Sequence, residues 1–417
     1  WTYASPSYVS GKVYIIKSSA ADSAGNTETP SSSTTFTYDN LGPTSSITYP
    51  TNGAKLSSSP IVTGNSSDAT AGVSSVKVSL KNVNDTTWYN GSNFTATSEI
   101  WLDATGTNPW TYSSPALTSG KTYLIRSKGI DAITNEESPS AGVSFIFDNT
   151  APISTIVLPV NNTTYNSLPL VSGTASDNAT NVTGVQIQIN NFTDGTYWTG
   201  AAWGASTWLN VTGTANWTYT SPAFTSGKVY IVKSKATDGT GNVETPSAGN
   251  TFTFDNASPT SSISAPANGA NLNALGIISG PASDTTSTVT SVVISIKNTN
   301  DTTYWNGTIW SGSETWLSVT GTTNWQYTSP TWTNAKTYQI RSKATDSIGN
   351  SEIPSAGNFF TYDNVAPTSS VSQPANGANL SSLANINGSA SDATSGVSVV
   401  KITIKNVNDN VYWNGTI

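Results

Sequence analysis

The chain has no cysteine, no histidine and no methionine in its 417 residues. Without cysteine there are no disulfides, thiol nucleophiles or thiolate metal sites. Without histidine the commonest general base and imidazole ligand are gone. Without methionine no translational start lies in the sequence, and a leader peptide cannot be sought in it. Charge is scarce too: 10% of residues are Asp, Glu, Lys or Arg, against roughly 25% in ordinary soluble domains. The net charge of −7 argues against nucleic acid as a partner. No apolar run approaches the ~20 residues of a membrane helix, so no membrane span is expected in this segment. Polarity comes from Ser, Thr, Asn and Gly. The apolar residues, 35% of the chain, are too regularly placed for a disordered polymer.

What is present is a repeat. "FDNTAP" (147–152), "FDNASP" (254–259) and "YDNVAP" (362–367) recur, with "YDNLGP" (38–43) as a worn copy. Their aspartates, Asp39, Asp148, Asp255 and Asp363, are spaced by 109, 107 and 108 residues. "SSDATA", "ASDNAT", "ASDTTS" and "ASDATS" recur in phase, as do "KATDGTGNVE" and "KATDSIGNSE". The expected organisation is a half-repeat over 1–41, complete repeats over 42–149, 150–256 and 257–364, and a second half-repeat over 365–417. "WTYASP" at the start matches "WTYTSP" (217–222), and "YWNGTI" at the end matches 304–309. Joined by a copy of the 15 residues 310–324, the 417 residues would make four repeats of 108. Two readings follow. The sequence is a window on a longer array, which is preferred, or its two halves complement each other between chains by strand addition. Both imply a linear, head-to-tail partnership with copies of itself or further repeats of the same chain, placing residue 417 of one copy near residue 1 of the next.

The apolar segments have period two. "VVKITIKN" puts Val400, Ile402 and Ile404 on one face, and "TYQIRSKATD" turns Tyr338, Ile340, Ser342 and Ala344 inward. Such alternation means strands buried on one face, and "NG", "GN" and "SP" turns separate them. No segment has a helical period. The predicted class is all-β. About seven short strands in ~100 residues is the rhythm of an immunoglobulin-like sandwich, so tandem sandwiches of about 108 residues are expected, head to tail. In the third repeat strand A is assigned to "TSSISAP", B to "GIISGPAS", C to "VVISIKN", F to "KTYQIRSKAT" and G to "NFFTYDN". The Trp-rich stretch between C and F is expected to supply C′ and E.

The run "DNTAP", "GTASD", "GV" and "ATDGTGNVETPS" resembles the bacterial Ig-like repeats of large surface proteins and adhesins. The resemblance covers essentially the whole chain, repeat by repeat, and departs in the Trp-rich insertion. It implies extracellular, cell-surface display in tandem arrays and, in some members, calcium at domain junctions.

The acidic residues are clustered. Sixteen of the 24 occupy four recurring positions: the linker, the end of strand B, the end of strand F, and six residues beyond that. Sandwich topology brings these positions to one end. Three junction sets are therefore expected: Asp39, Asp68, Asp131 and Glu137; Asp148, Asp177, Asp238 and Glu244; Asp255, Asp284, Asp346 and Glu352. Crowded carboxylates with no His or Cys suit Ca²⁺, a hard cation taking six to eight oxygens, with Asn149 or Asn256 and backbone carbonyls completing the shell. The alternative is turn chemistry, since Asp-x-x-Gly is a good type I turn.

Sixteen of the 17 basic residues fall on strands C and F. They read as a solvated face that discourages edge pairing, or as a face for anionic glycans or a neighbouring fibre. Each insertion carries a Trp set, such as Trp198, Trp203, Trp208 and Trp217. Packing is the first reading and sugar stacking the second. Sequons at Asn84, Asn162, Asn191, Asn210, Asn216, Asn306 and Asn414 mark acceptor sites, and a glycoprotein, only in a host with the machinery. No catalytic constellation is visible, and "GxSxG" is absent. The expected function is a non-enzymatic structural fibre or stalk, a segment of a longer surface protein. The alternative is an adhesin or carbohydrate-binding array.

Overall fold

A computed structural model describes residues 1–30 and 32–416. Ser31 and Ile417 lie outside the described residues, and so does the expected position of residue 417 next to residue 1 of another copy. The ordered elements are all strands, with no helix among the described residues. The chain divides into two compact units, residues 1–161, 169–222 and 231–251 in the first, and 162–168, 223–230 and 252–417 in the second.

The first unit holds a complete sandwich. Its strands are A (Thr44–Tyr49), A′ (Ala54–Leu56), B (Ile61–Ser67), C (Val73–Asn82), C′ (Thr87–Tyr89), E (Trp110–Ser113), F (Lys121–Asp131) and G (Val143–Phe147). One sheet has the order E-B-A. The other runs A′-G-F-C-C′ and ends on Phe94–Ala96, with Leu102–Asp103 paired onto C. In the second unit, strands Thr260–Ser261, Ala270–Leu272, Ile277–Ser283, Val289–Asn298, Thr303–Trp305, Asn324–Thr328, Lys336–Asp346 and Asn358–Tyr362 repeat this topology. Strands of matching length and burial alternation recur from Ile153–Leu158 to Asn250–Phe254.

The period-two reading of strand F holds, with Tyr338, Ile340, Ser342 and Ala344 all buried. Strand C is covered on both faces in its middle, where Val78, Ser79 and Leu80 are buried in succession. The Trp-rich connection explains this. It folds back over the outer face of C before crossing to the other sheet as E, and Glu99 accepts a hydrogen bond from Ser79 Oγ at 2.6 Å. Strand A′ escaped the sequence reading. It is only three residues long and pairs in parallel with G, Phe145 against Ala54. In the trailing segment, "VVKITIKN" does not form the expected ladder strand. Only Lys405–Asn406 pairs, with Val411–Tyr412, and Val400, Ile402 and Ile404 are exposed.

Each sandwich is centred on one tryptophan of strand E. Trp110, Trp217 and Trp325 are fully buried. Their indoles lie on Gly64, Gly173 and Gly280 of strand B, where any Cβ would collide with the indole and with a strand A carbonyl. A glycine inside a strand here marks the close approach of another group. Truncating such an indole leaves a cavity no neighbour can fill. Trp325→Ala is expected to cost about 3–5 kcal/mol in urea unfolding. Trp1→Ala, at an exposed position, is expected to stay within about 0.5 kcal/mol.

Candidate metal centres

The ends of strands B and F and the linker from the preceding repeat converge, and three aspartates meet at each convergence. Carboxylate oxygens of Asp39, Asp68 and Asp131 lie within 4.8 Å of one another, as do those of Asp148, Asp177 and Asp238, and of Asp255, Asp284 and Asp346. Each set lies within one of the two units. The glutamates do not join them. Glu244 Oε2 accepts from Ala236 N (3.0 Å) and Ser154 Oγ (2.5 Å), while Oε1 accepts from Ser154 N (2.9 Å). Glu352 ties Ser261 to Ala344 in the same way, and Glu137 ties Ser45 to Gly129. The expected placement of Glu137, Glu244 and Glu352 in the junction sets is therefore corrected. Each glutamate sits on the far side of strand F's terminal turn and satisfies backbone donors of A and F that no ladder reaches.

Local structure fixes each aspartate. Asp177 Oδ1 accepts from Ala179 N (2.9 Å) and Thr180 N (2.7 Å), closing the B–C turn. Asp238 Oδ1 accepts from Thr240 N (2.8 Å) and Asn242 N (2.9 Å), closing the F–G turn. Of the two, only Asp238 carries the "D-x-x-G" pattern, with Gly241 N donating to Asp238 O; at Asp177, followed by Asn-Ala-Thr, the turn is closed by the side chain alone. The linker aspartate is different. Asp148 is buried, and its carboxylate accepts from Ser119 Oγ of the preceding repeat (2.9 Å) and Thr180 Oγ1 of the next (2.9 Å).

Asn149 and Asn256, the amides expected near the sets, meet the preceding repeat through their backbone N–H, on Ser119 Oγ and Ser226 Oγ. The amides that stand beside the sets are Asn135, Asn242 and Asn350. Asn242 Nδ2 donates to Asp238 Oδ2 (2.8 Å) and to the linker carbonyl of Asp148 (2.9 Å). Asn350 Nδ2 likewise bridges Asp346 Oδ2 (2.8 Å) and Asp255 O (3.0 Å). Sequence reasoning missed these residues, although an Asn four positions after the strand F aspartate recurs in every copy, Asn26 included.

The donor set is entirely oxygen, which fits a hard cation. Asp177 Oδ2 and Asp255 Oδ2 are buried without a hydrogen-bond partner. A buried carboxylate oxygen left unpaired is costly and fits a position facing a cation. Burial pushes the Asp346 carboxyl up, but hydrogen bonds from Asn350, Ser287 and Ile348 outweigh it and hold the group below the ordinary aspartate value. Asp238 is held low in the same way by Asn242 and Thr240.

The tryptophans outside the core are occupied by neighbours. Trp198 Nε1 donates to Tyr219 Oη at 2.9 Å, and Trp305 Nε1 to Tyr327 Oη at 3.1 Å. The pairs Trp198–Trp203 and Trp305–Trp310 meet at 59° and 55°, not coplanar. Lys128, Lys235 and Arg341 of the basic stripe lie over Trp101, Trp208 and Trp316 at 5.0, 4.5 and 5.6 Å. Part of the stripe is thus a set of cation–π covers over the insertion.

All-β sandwiches of one topology, joined through a shared acidic linker, define a tandem array of immunoglobulin-like modules. Residues 213–362 match the family model of the bacterial Ig-like domain, group 3. That segment is thus similar to the bacterial Ig-like domain, and its motifs recur in phase along the sequence. Solved structures with some likeness include the fibronectin(III)-like modules of Clostridium thermocellum CbhA, at 16% identity and TM-score 0.25, covering 51% of this chain and 94% of that one. The three N-terminal domains of the bacteriophage RB49 highly immunogenic outer capsid protein show 12% identity and TM-score 0.33, over 78% and 99%. At these scores neither likeness carries an argument about function. No curated protein matches the chain.

The lowered carboxyls predict an acid response. A group whose pKa is depressed by folding stabilises the fold above its unfolded value, near ~3.9, and loses that contribution as pH falls through the folded value. In chelator, stability is expected to drop below about pH 4. Asn350→Ala, by removing the main donor to Asp346, should move the acid midpoint upward in melts followed by circular dichroism.

Proposed function

We propose that the chain is a structural segment of an extracellular fibre or stalk, in which Ig-like domains are stacked into a stiffened array. The observation that carries this reading is the shared linker carboxylate. At three junctions an aspartate joins the preceding repeat to the next: Asp39 between Ser10 Oγ and Ala71 N, Asp148 between Ser119 and Thr180, and Asp255 between Ser226 Oγ and, through its carbonyl, Asn350. A flexible string of domains has no use for such a doubly bonded linker, buried at Asp148 and Asp255, whereas a stalk does. The family implies extracellular display, and no helix among the described residues is long and apolar enough to cross a membrane. We read the chain as non-enzymatic, because the same acidic groups recur at every junction instead of once in a cleft. The five expected segments, 1–41, 42–149, 150–256, 257–364 and 365–417, remain our proposed domain boundaries. The adhesin reading would draw on exposed coplanar tryptophans, and the tilted, hydrogen-bonded pairs do not supply them.

We assign the junction sets to Ca²⁺. Asp39, Asp68 and Asp131, then Asp148, Asp177 and Asp238, then Asp255, Asp284 and Asp346 would hold it, and the ion would supply positive charge between carboxylates that otherwise repel. Extracellular sites of this kind bind at ~10⁻⁴–10⁻³ M. Mass action then gives about 1.4–2.7 kcal/mol per occupied site in 10 mM Ca²⁺. Calorimetric melting should show that gain, and chelator should remove it. Asp177→Asn or Asp238→Asn should abolish the response at one junction while the others keep theirs. Identical melting with and without chelator would exclude calcium and leave the shared-linker array in place.

A further inference from the structure

Asparagine followed by glycine can react with itself. Glycine has no Cβ to hold its backbone nitrogen away from the side-chain carbonyl carbon of the residue before it. The chain has seven Asn-Gly pairs, and four lie in the complete repeats. Asn52-Gly53 and Asn268-Gly269 lead into strand A′. Asn90-Gly91 and Asn306-Gly307 turn the hairpin that follows C′, between Thr87–Tyr89 and Phe94–Ala96 in the first repeat and between Thr303–Trp305 and Trp310–Ser311 in the third.

The two kinds of pair differ in what holds the glycine nitrogen. At A′, Gly53 N donates to Ser144 O and Gly269 N to Phe359 O, both at 2.7 Å. Ser144 N and Phe359 N return bonds to Asn52 Oδ1 and Asn268 Oδ1, both at 2.9 Å. Strand G thus holds the nucleophile and the electrophile together. At the hairpin tips Gly91 N and Gly307 N donate no hydrogen bond among the described residues, and both glycines are exposed. The asparagine carbonyls there are well supplied with donors. Asn90 Oδ1 accepts from Ser92 N and Asn93 N, both at 2.9 Å. Asn306 Oδ1 accepts from Thr308 N (3.0 Å), Thr308 Oγ1 (3.0 Å) and Ile309 N (2.9 Å).

We propose that Asn90 and Asn306 are sites of spontaneous deamidation, and that pairing with strand G silences the same reaction at Asn52 and Asn268. At the third repeat the Gly307 nitrogen loses its proton to water or hydroxide and bonds to Asn306 Cγ. Negative charge develops on Asn306 Oδ1, where the Thr308 and Ile309 N–H groups and the Thr308 hydroxyl already donate. The bond from Cγ to Nδ2 breaks, ammonia leaves and a cyclic imide closes. One water then opens the imide to aspartate or isoaspartate. Amide and water become acid and ammonia, and nothing is oxidised or reduced. The second repeat is a built-in control, with Asn161-Asn162 and Thr199-Gly200 in the two places. Thr199 Oγ1 keeps the bonds of the tip, accepting from Ala202 N at 3.2 Å and donating to Ala202 O at 2.8 Å, but has no amide to lose.

Each conversion adds a negative charge to a chain of net −7. Isoaspartate also lengthens the backbone at a tip closed by Asn90 N on Asn93 O (3.0 Å) or Asn306 N on Ile309 O (3.1 Å). The rings flanking each tip, Tyr89 with Phe94 at 5.2 Å and Trp305 with Trp310 at 5.7 Å, are the contacts it disturbs. Age is thereby written into the insertion that covers strand C, in the first and third repeats and not in the second.

The whole chain, held folded in heavy-oxygen water at mildly alkaline pH and sampled by peptide mapping in a mass spectrometer, tests this. Heavy oxygen should enter at Asn90 and Asn306, and at Asn52 and Asn268 at least about tenfold more slowly, because the ladder must open before it reacts. In unfolding urea the four rates should converge. Asn306→Thr, which copies the second repeat, should abolish the reaction at that tip and leave Asn90 and the melting unchanged. Equal native rates at the four sites, an Asn90 or Asn306 that stays intact in the folded chain over the time that urea converts it, or a difference that survives in urea would overturn the assignment. The outcome bears on neither the stalk nor the calcium sites.

Discussion

A carboxylate buried in the linker between two domains is the constraint on which the array depends. Burying a charge is tolerated only when it is hydrogen-bonded or paired. Asp148 meets that condition by taking donors from both sides, Ser119 before it and Thr180 after it. Neither domain alone can satisfy it. Position and orientation of successive domains thus become part of the same condition, and Asn242 reinforces it by holding the carbonyl of that residue. The turn aspartates Asp177 and Asp238 are fixed by their own loops, so they present oxygens to the linker without needing it.

The fold was largely legible in the sequence because its determinants are local and periodic. Period-two alternation identified strands B, C, F and G, and the in-phase aspartates foretold where loops converge. The illegible parts are those decided by partners far along the chain. Strand A′ has three residues, too few to show a period, and exists because G offers it a free edge. Glu244 looked like one more acid at the junction, and only the approach of strand A, 90 residues earlier, turns it to Ser154. Glycines 64, 173 and 280 carried a readable signal, each a glycine inside strand B with a tryptophan some 45 residues on, but their pairing requires the sheet order E-B-A.

A chain with one charged residue in ten and no disulfide must find cohesion elsewhere. It does so with aromatic mass in the core and with short hydroxyl and amide links between strands, such as Ser261 Oγ to Ser342 Oγ at 2.8 Å. Arg126, Lys128 and Arg341 are each used twice, once toward a carboxylate and once over a ring: Arg341 meets Glu314 at 3.2 Å and lies over Trp316. Surface ion pairs of this kind contribute little by themselves. Their value here is in covering the insertion that shields strand C.

The parallel pairing of A′ with G has a mechanical meaning. A′ lies near the start of each domain and G at its end, and both run the same way: Ala54 to Leu56 against Phe145 to Phe147, Thr163 to Tyr165 against Phe252 to Phe254, and Ala270 to Leu272 against Phe360 to Tyr362. Tension applied through the two ends of a domain pulls these strands past each other along their length. Their hydrogen bonds are then loaded together in shear, not opened one after another from an end. Resistance to forced unfolding is set by the unfolding rate and not by equilibrium stability. Three residues of parallel ladder per domain would thus serve as the clasp that tension across a domain must break first.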